Sequence, residues 1–234
     1  MFNFKQFSMD DSKAAMKIGT DAVLLGAWTP CNNETRILDI GAGSGILTLM
    51  MAQRNPDAEI DAVEIDPEAV AQAKLNAQLS PWNDRIHIFN LSVQEFSLAK
   101  KNSYNLIICN PPFFTNSLKA PDNKRNLARH NDSLPVEDLL ESTSKMLTED
   151  GEAVFIIPAN ALGNWKHEAA KHQLFPDKLT WVKSSPTHSP HRAMVMFSRK
   201  NLNSIPEDEI CIYSSEKIHS QEYRKLTKDF YLKF

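Results

Sequence analysis

The stretch that decides the fold is Leu38-Asp39-Ile40-Gly41-Ala42-Gly43-Ser44-Gly45-Ile46-Leu47. Its apolar first residues predict the end of a buried β-strand, and the apolar residues after the last glycine predict the start of an α-helix. Three of the chain's seven glycines lie between them, where they let the backbone turn tightly and approach a ligand closely. The helix N-terminus that follows presents free N–H groups and a partial positive charge. We therefore expect a ligand site at this loop; a glycine-rich turn without a ligand is the alternative.

The spacing within this loop indicates which ligand it binds. The glycines form Gly-x-Gly-x-Gly, whereas a dinucleotide dehydrogenase shows Gly-x-Gly-x-x-Gly, so an NAD-dependent enzyme is disfavoured. Asp39 stands two residues before Gly41, where a carboxylate is unfavourable for a negatively charged pyrophosphate. It suits a ligand with an ammonium group, such as the amino-acid end of S-adenosylmethionine. Glu64 ends the next predicted strand, where a carboxylate can accept hydrogen bonds from both hydroxyls of a ribose. Asp66 is less suited to that role, because it can cap the helix that begins at Pro67.

Strand-like apolar runs recur along the chain, with the helical segments Ile46–Arg54 and Pro67–Leu79 between the first of them. This alternation predicts one α/β domain over residues 1–234, with a doubly wound parallel sheet whose ligands bind beyond the carboxyl ends of the strands. The last two strands are joined by the short segment Ser184–Pro190, which predicts an antiparallel pair, and Lys200–Glu209 is predicted to be a surface loop. The predicted strands are Arg36–Ile40, Glu59–Glu64, Arg85–Phe89, Tyr104–Cys109, Glu152–Pro158, Leu179–Lys183 and Ala193–Ser198.

A second motif, Asn110-Pro111-Pro112-Phe113, follows the strand Tyr104–Cys109. The two prolines fix two φ angles and remove two backbone donors, so the local carbonyls are left as free acceptors. The amide adds another acceptor, and the aromatic ring offers a flat apolar face. Together these groups can hold a planar ligand that carries an NH₂ group, such as adenine. A rigid turn that only ends the strand is the alternative interpretation.

Composition restricts the classes of partner and site. The net charge of −3 gives no global basic field, so any nucleic-acid contact must use a local patch. Three widely spaced cysteines without a Cys-x-x-Cys pair argue against a disulfide framework and fit a reducing cytosol. The first ten residues do not resemble a signal peptide, and no apolar run approaches the roughly 20 residues of a membrane span, so we expect a soluble cytoplasmic protein. His188 and His191 lack acidic or cysteine partners, so no metal site is predicted, and a monomer is compatible with the composition.

The glycine loop with its preceding aspartate, Glu64 and the Asn110–Phe113 motif together resemble the class I S-adenosylmethionine-dependent methyltransferases that act on planar exocyclic or amide nitrogens. The segments that flank these motifs narrow the resemblance to the bacterial tRNA1(Val) (adenine(37)-N6)-methyltransferase family. It extends from about residue 4 to the C-terminus. The segments that carry it are Phe4–Phe7, Met16–Asp21, Leu24–Trp28, Ser80–Trp82, Pro190–Arg192 and Asp229–Leu232.

The resemblance implies a Rossmann-like, seven-stranded, mostly parallel sheet with an antiparallel last strand and helices on both faces. It also implies that Asn110, Pro111, Pro112 and Phe113 form the catalytic motif that holds adenine 37 of a tRNA. Ser92 stands where many relatives carry aspartate, and we expect its hydroxyl to accept from the cofactor's adenine more weakly than a carboxylate does. The other residues implied to contact S-adenosylmethionine are Asp39, Gly41, Gly43, Gly45 and Glu64.

Basic residues near the second motif are candidates for contacts with tRNA phosphates. Lys124, Arg125 and Arg129 follow the motif in a polar stretch, and His191 and Arg192 precede the last predicted strand. A solvated surface loop is the alternative for the first group. The acceptor motif also leaves other reactions open, because guanine N2 in rRNA and the side-chain amide of a protein glutamine fit it as well. A non-catalytic RNA-binding module is a further alternative, although binding alone needs no amine-orienting motif beside a methyl donor.

Overall fold

The computed structural model describes residues 1–12, 17–31, 35–111, 134–215 and 218–233. In these ranges the α-helices are α1 (Thr20–Trp28), α2 (Ile46–Arg54), α3 (Pro67–Gln78), α4 (Val93–Ala99), α5 (Val136–Met146), α6 (Leu162–Lys171) and α7 (Gln221–Thr227). The strands are β1 (Phe2–Asn3), β2 (Ser8–Met9), β3 (Arg36–Ile40), β4 (Glu59–Glu64), β5 (Ile86–Asn90), β6 (Tyr104–Cys109), β7 (Leu147–Pro158), β8 (Phe175–Lys183), β9 (Arg192–Ser198), β10 (Glu207–Cys211), β11 (Tyr213–Ser215) and β12 (Ile218–His219).

Within the described part of the chain, eight strands form the main sheet in the order β10-β8-β9-β7-β6-β3-β4-β5. The strands run parallel except β9, which is antiparallel to both of its neighbours, β7 and β8. The α/β architecture, the strands predicted from the sequence and the antiparallel pairing of the last two of them are confirmed. β7 and β8 begin earlier than predicted, at Leu147 and Phe175, and β5 covers Ile86–Asn90 instead of Arg85–Phe89.

The eighth strand, β10, was not predicted, and the loop expected over Lys200–Glu209 is wrong for its last three residues. β10 begins at Glu207 and pairs in parallel with β8 at the edge of the sheet. Its first three side chains, Glu207, Asp208 and Glu209, are exposed, so the strand lacks the apolar alternation that marks a half-buried strand. Charged edge strands are a common way to prevent further strand addition, and they look like loops in a sequence.

Both faces of the sheet are covered by helices, as predicted. β6 shows this directly, because Leu106 and Ile108 pack into the hydrophobic cluster on one face while Ile107 and Cys109 pack into the cluster on the other. The first cluster includes side chains of α1, α2, α3 and α7, and the second includes side chains of α4, α5 and α6. A strand buried on both faces reads as a continuous apolar run, which explains why the sequence indicated the central strands so clearly.

The order of the strands places the ligand crevice. β3 pairs with β4 on one side and with β6 on the other, so the direction of the chain across the sheet switches at β3. In such sheets ligands bind beyond the carboxyl ends of the strands at this switch point. The glycine loop after β3 therefore lies between the end of β4, at Glu64, and the end of β6, which Asn110 follows.

The first twelve residues form an N-terminal strap that packs against the body of the protein. Phe4, Phe7 and Met9 are buried, and the rings of Phe4 and Phe7 stack with their centroids 4.6 Å apart. The Lys5 backbone N–H donates to the carbonyl oxygen of Phe230 at 2.8 Å. The strap thus joins the two ends of the chain. No helix in the described residues has both the length and the apolar character required to cross a membrane.

Candidate cofactor and acceptor site

The glycine loop adopts a backbone that only glycine accommodates readily. Gly41, Gly43 and Gly45 have φ angles of +69°, +54° and +88°. A Cβ atom added at Gly41 or Gly43 would meet nothing within 4 Å, so open space lies in front of the loop. A Cβ atom at Gly45 would lie 3.4 Å from the Cβ of Ala73 in α3. Gly41 and Gly43 therefore border an open space, which we call the cradle. Gly45 instead allows close packing against α3.

Hydrogen bonds fix this loop to the tip of β4. The backbone N–H groups of Gly41 and Ala42 donate to the carbonyl oxygen of Val63 at 2.9 and 3.2 Å. The N–H of Gly45 donates to the carbonyl oxygen of Ala42 at 2.8 Å, and the N–H of Gly43 donates to Oε2 of Glu64 at 2.9 Å. Hydrogen bonds within the chain therefore hold the loop, with a carboxylate beside it.

Glu64 lies at the position that the sequence predicted. Its Oε1 accepts from the backbone N–H groups of Ile65 and Asp66 at 2.8 and 2.9 Å, while its Oε2 faces the glycine loop. The side chain of Asp66 accepts from the N–H of Glu68 at 3.0 Å, so the predicted helix cap is confirmed. Asp66 thus serves as the helix cap, while Glu64 is the carboxylate that borders the glycine loop.

Asp39 is fully buried at the end of β3. Its Oδ2 accepts from the backbone N–H and the hydroxyl of Thr48, at 2.9 and 2.6 Å. Its Oδ1 is buried and has no hydrogen-bond partner among the described residues. Burial raises the pKa of this carboxyl to about 7, against the opposing hydrogen bonds from Thr48. An acceptor that is buried and unpaired beside a glycine cradle is well suited to an ammonium group.

Asn110 follows β6, one residue beyond the pairing of Cys109 with Ile40 that aligns β6 with β3. Its Oδ1 is buried and, like that of Asp39, has no partner among the residues the structure describes. Burial and then the charges of Asp39 and Glu64 raise the pKa of the Cys109 thiol well above its usual value. Pro111 is buried, whereas Pro112 and Phe113 lie outside the described residues. The structure therefore places the amide acceptor of the second motif directly after the strand that pairs with β3, which contains Asp39.

Ser92 has a structural function in addition to the one predicted from the sequence. It is the N-cap of α4, and its hydroxyl accepts from the N–H of Glu95 at 3.2 Å and donates to Oε2 of Glu95 at 2.7 Å. The same carboxylate accepts from the N–H of Ser92 at 3.1 Å, which completes a capping box. A cofactor adenine would have to share this hydroxyl with the helix cap.

Two apolar side chains at the same edge were not singled out from the sequence. Ile65 and Leu91 follow the ends of β4 and β5, and they are 61% and 41% exposed. The side-chain amide of Asn90 donates to the carbonyl oxygens of Glu64 and Ile65 at 3.0 and 2.9 Å and so ties the two strand ends together. Exposed aliphatic groups held in this way provide a surface for a flat apolar ring. Their exposure depends on the fold, so the sequence alone gave no signal.

Of the predicted RNA contacts, Lys124, Arg125 and Arg129 lie outside the described residues. Arg192 begins β9, and because β9 is antiparallel, this start lies at the carboxyl edge of the other strands, opposite Pro158. Its Nε forms an ion pair with Oδ2 of Asp21 in α1 at 2.8 Å. Burial, followed by the charge of Arg192, lowers the pKa of His191. The positive charge at this end of the sheet is therefore partly balanced by Asp21.

The groups in this crevice fit S-adenosylmethionine. Asp39 offers a buried acceptor for an ammonium group, the loop offers open space, Glu64 offers a carboxylate, and Ile65 and Leu91 offer an apolar surface. In the described ranges, no group of three or more His, Cys, Asp or Glu side chains is arranged to hold a metal ion.

Known proteins resemble this chain in sequence and in fold. Residues 12–164 match the family model of the methyltransferase small domain. A tRNA1(Val) (adenine(37)-N6)-methyltransferase of Flavobacterium psychrophilum is 44% identical over 234 residues, which is 100% of both chains. One from Bacteroides fragilis is 44% identical over 236 residues, covering 99% of this chain and 98% of that protein. The crystal structure of a predicted O-methyltransferase from Agrobacterium tumefaciens is similar in fold, with a TM-score of 0.70, 17% identity and coverage of 90% of this chain and 96% of that one.

Proposed function

Because this chain belongs to the family of tRNA1(Val) (adenine(37)-N6)-methyltransferases, we propose that it transfers a methyl group from S-adenosylmethionine to N6 of adenine 37 in a tRNA. The observation that carries the proposal is a pair of buried oxygens at the switch point. Oδ1 of Asp39 and Oδ1 of Asn110 both lack partners among the described residues; Asp39 lies in β3, and Asn110 directly follows β6, the strand that pairs with β3. One oxygen suits the ammonium group of the methyl donor, and the other suits the amino group of the acceptor.

The cofactor half of the site would be held by residues of three strand ends. Asp39 and the glycine loop would take the amino-acid part, Glu64 the ribose, and Ile65 and Leu91 the adenine ring, with Ser92 at its edge. When bound, S-adenosylmethionine supplies an electrophilic methyl group on a positively charged sulfur. Gly41 and Gly43 leave the space for close approach, since side chains there would fill the cradle.

The acceptor half would be formed by Asn110 and the prolines. The N6 lone pair of adenine is delocalised into the ring, so the amino group is a weak nucleophile. If Oδ1 of Asn110 and the carbonyl oxygen of Pro111 each accept one N6 hydrogen, they favour a pyramidal nitrogen and stabilise the positive charge that develops on it. No strong general base is required, because the nitrogen loses its proton readily once it is methylated.

The second proline and the aromatic ring of the motif are assigned from the sequence. Phe113 would stack on the target base, an interaction typically worth about 1–3 kcal/mol. Position 37 lies in the anticodon loop, where a base is unpaired and is therefore extruded at lower cost than from a duplex. Pro112 would keep the motif rigid.

We assign the tRNA surface to the carboxyl edge beside the second motif. Lys124, Arg125 and Arg129 follow that motif in sequence, and Arg192 and His191 lie where β9 begins. With a net charge of −3, binding must depend on such a local patch. The affinity for tRNA should therefore fall steeply with added salt.

The test is to incubate the protein with labelled S-adenosylmethionine and bulk tRNA and to analyse the nucleosides by mass spectrometry. The label should appear in N6-methyladenosine, and sequencing should place it at position 37 of a valine tRNA. The variant N110A should bind S-adenosylmethionine as well as the wild type does while losing at least about a hundredfold in rate, as expected when a group that stabilises developing charge is removed. Parallel incubations with rRNA and with cellular protein test the alternative acceptors: label in guanosine of rRNA or in a protein glutamine, with none in tRNA, would support them instead.

A further inference from the structure

Asn76 is a buried polar side chain in α3 that the proposed chemistry does not use. It is 1% exposed. Its Nδ2 donates to the carbonyl oxygen of Ser44 in the glycine loop at 2.9 Å and to the carbonyl oxygen of Asp10 in the N-terminal strap at 2.7 Å. Its Oδ1 accepts from the N–H of Asp10 at 2.9 Å. One side chain thus joins a helix, the cofactor loop and the strap.

The contact with Ser44 fixes one peptide unit of the loop from both sides. The carbonyl oxygen of the Ser44–Gly45 peptide accepts from Asn76, while its N–H donates to the carbonyl oxygen of Ala42 at 2.8 Å. Gly45 is also the N-cap of α2 and has a φ of +88°. Rotation of this peptide would redirect the start of α2 and change the cradle in front of the loop. Ala73, which packs against Gly45, lies three residues before Asn76 on the same face of α3.

We propose that Asn76 is a positioning residue for the methyl donor, which holds the glycine loop in its binding conformation and fastens it to the N-terminal strap. This inference rests on the proposed function, because it concerns the same cofactor site. Asn76 contacts the outer side of the loop and not the acceptor motif. Its loss therefore weakens binding of the donor and leaves the rate at saturating donor near that of the wild type.

The experiment compares N76D with the control N55D. The first change keeps the size of the side chain but places a carboxylate oxygen against the carbonyl oxygens of Ser44 and Asp10. Asn55 is also buried, at 3% exposure, and its Nδ2 donates to the carbonyl oxygen of Met51 at 3.1 Å and to Sγ of Cys31 at 3.3 Å. It follows the opposite end of α2 from the glycine loop, so it controls for the loss of a buried asparagine.

Binding of S-adenosylhomocysteine, measured by calorimetry, gives a readout independent of activity. We expect the Kd of N76D to rise about tenfold and that of N55D to stay near the wild-type value. The KM for S-adenosylmethionine should rise by the same factor in N76D, with kcat at saturating donor unchanged. N76A removes the N–H donors of the side-chain amide without adding an opposing oxygen, and it should also raise the Kd. If N76D does not fold, N76A replaces it in the test.

Three results would overturn the inference. An unchanged Kd in a folded Asn76 variant would exclude a positioning role, and an equal rise in N55D would reduce the effect to general destabilisation. If neither N76D nor N76A folds, Asn76 is required for folding and has no separate positioning role. The proposed function is judged separately: if the wild-type protein does not bind S-adenosylhomocysteine, that function fails and the positioning role fails with it.

Discussion

Two buried aspartates on neighbouring strands, Asp39 in β3 and Asp61 in β4, have opposite surroundings. Oδ2 of Asp61 accepts from Nη2 of Arg36, Nζ of Lys100 and the hydroxyl of Tyr104, at 3.2, 3.2 and 2.5 Å. Among the described residues, Asp39 receives hydrogen bonds only from the neutral groups of Thr48, and its second oxygen has no partner there. A carboxylate that is already paired with cations holds the fold together, whereas a carboxylate left without one is available for a cationic ligand.

The largest expected effect is the loss of stability when Asp61 is changed. D61N removes the charge that Arg36 and Lys100 share, so the free energy of unfolding should fall by about 3 kcal/mol, the lower end for breaking a buried ion pair. The lower end applies because these two cations are 43% and 30% exposed and stay hydrated. Urea unfolding measures the change. The affinity of the folded variant for S-adenosylmethionine should equal that of the wild type, and a marked loss of affinity would erase the distinction between the two aspartates.

D39N should have the opposite effects of D61N: weaker ligand binding and no loss of stability. Removal of the charge that meets the ammonium group should weaken S-adenosylmethionine binding by about 10- to 100-fold, the range expected for a charge-assisted hydrogen bond. The free energy of unfolding without ligand should not fall at neutral pH, since a buried charge with no cationic partner is removed. Calorimetric titration of the samples measures the affinity for S-adenosylmethionine, and urea unfolding of the same samples measures the free energy of unfolding. Unchanged affinity would show that Asp39 is as structural as Asp61.

The third expectation concerns pH. The pKa of Asp39 is raised to about 7 in the folded protein, above its usual value of 3.8. Its contribution to stability is therefore fully present below about pH 4 and is lost as the pH rises through 7. The ionised form binds a cation better, so the affinity for S-adenosylmethionine should increase between pH 5.5 and 7.5, by at most about tenfold per pH unit. In D39N this trend should be absent; if it persists there, another group is responsible.

The smallest expected effect belongs to Y104F. Tyr104 is fully buried and donates to Asp61, while burial, followed by that hydrogen bond, raises the pKa of its hydroxyl. Loss of the hydroxyl should lower the free energy of unfolding by about 1 kcal/mol, because Arg36 and Lys100 still pair with the carboxylate. Thermal unfolding detects such a change. Binding of S-adenosylmethionine is the control and should not respond; a weaker affinity would extend the cofactor site to the Asp61 cluster.

Local sequence patterns predicted the parts of this molecule that depend on neighbours in the chain. The alternate glycines predicted the loop, and the pair Asp66 and Pro67 predicted the start of α3 and thereby the choice of Glu64. Continuous apolar runs predicted the central strands because those strands are buried on both faces. The charged edge strand β10 has no such run, so it was missed.

Contacts between distant parts of the chain could not be predicted in this way. The partners of Asn76 are 66 and 32 residues away in sequence, and Asp21 is 171 residues from Arg192. The capping box of Ser92 was local, since Glu95 stands three residues later, and the sequence did contain that signal.

The antiparallel strand β9 brings a second, separate segment of the chain to the edge of the sheet where the glycine loop lies. Because β9 reverses direction, the hairpin between β8 and β9 opens at the same edge as the glycine loop, yet it belongs to a different part of the chain. If tRNA binds at this edge as proposed, substitutions in residues 184–191 should change its binding without altering the donor pocket. Under the proposed function, the reversed strand separates the acceptor surface from the donor pocket in the chain, so that either could change while the other is kept.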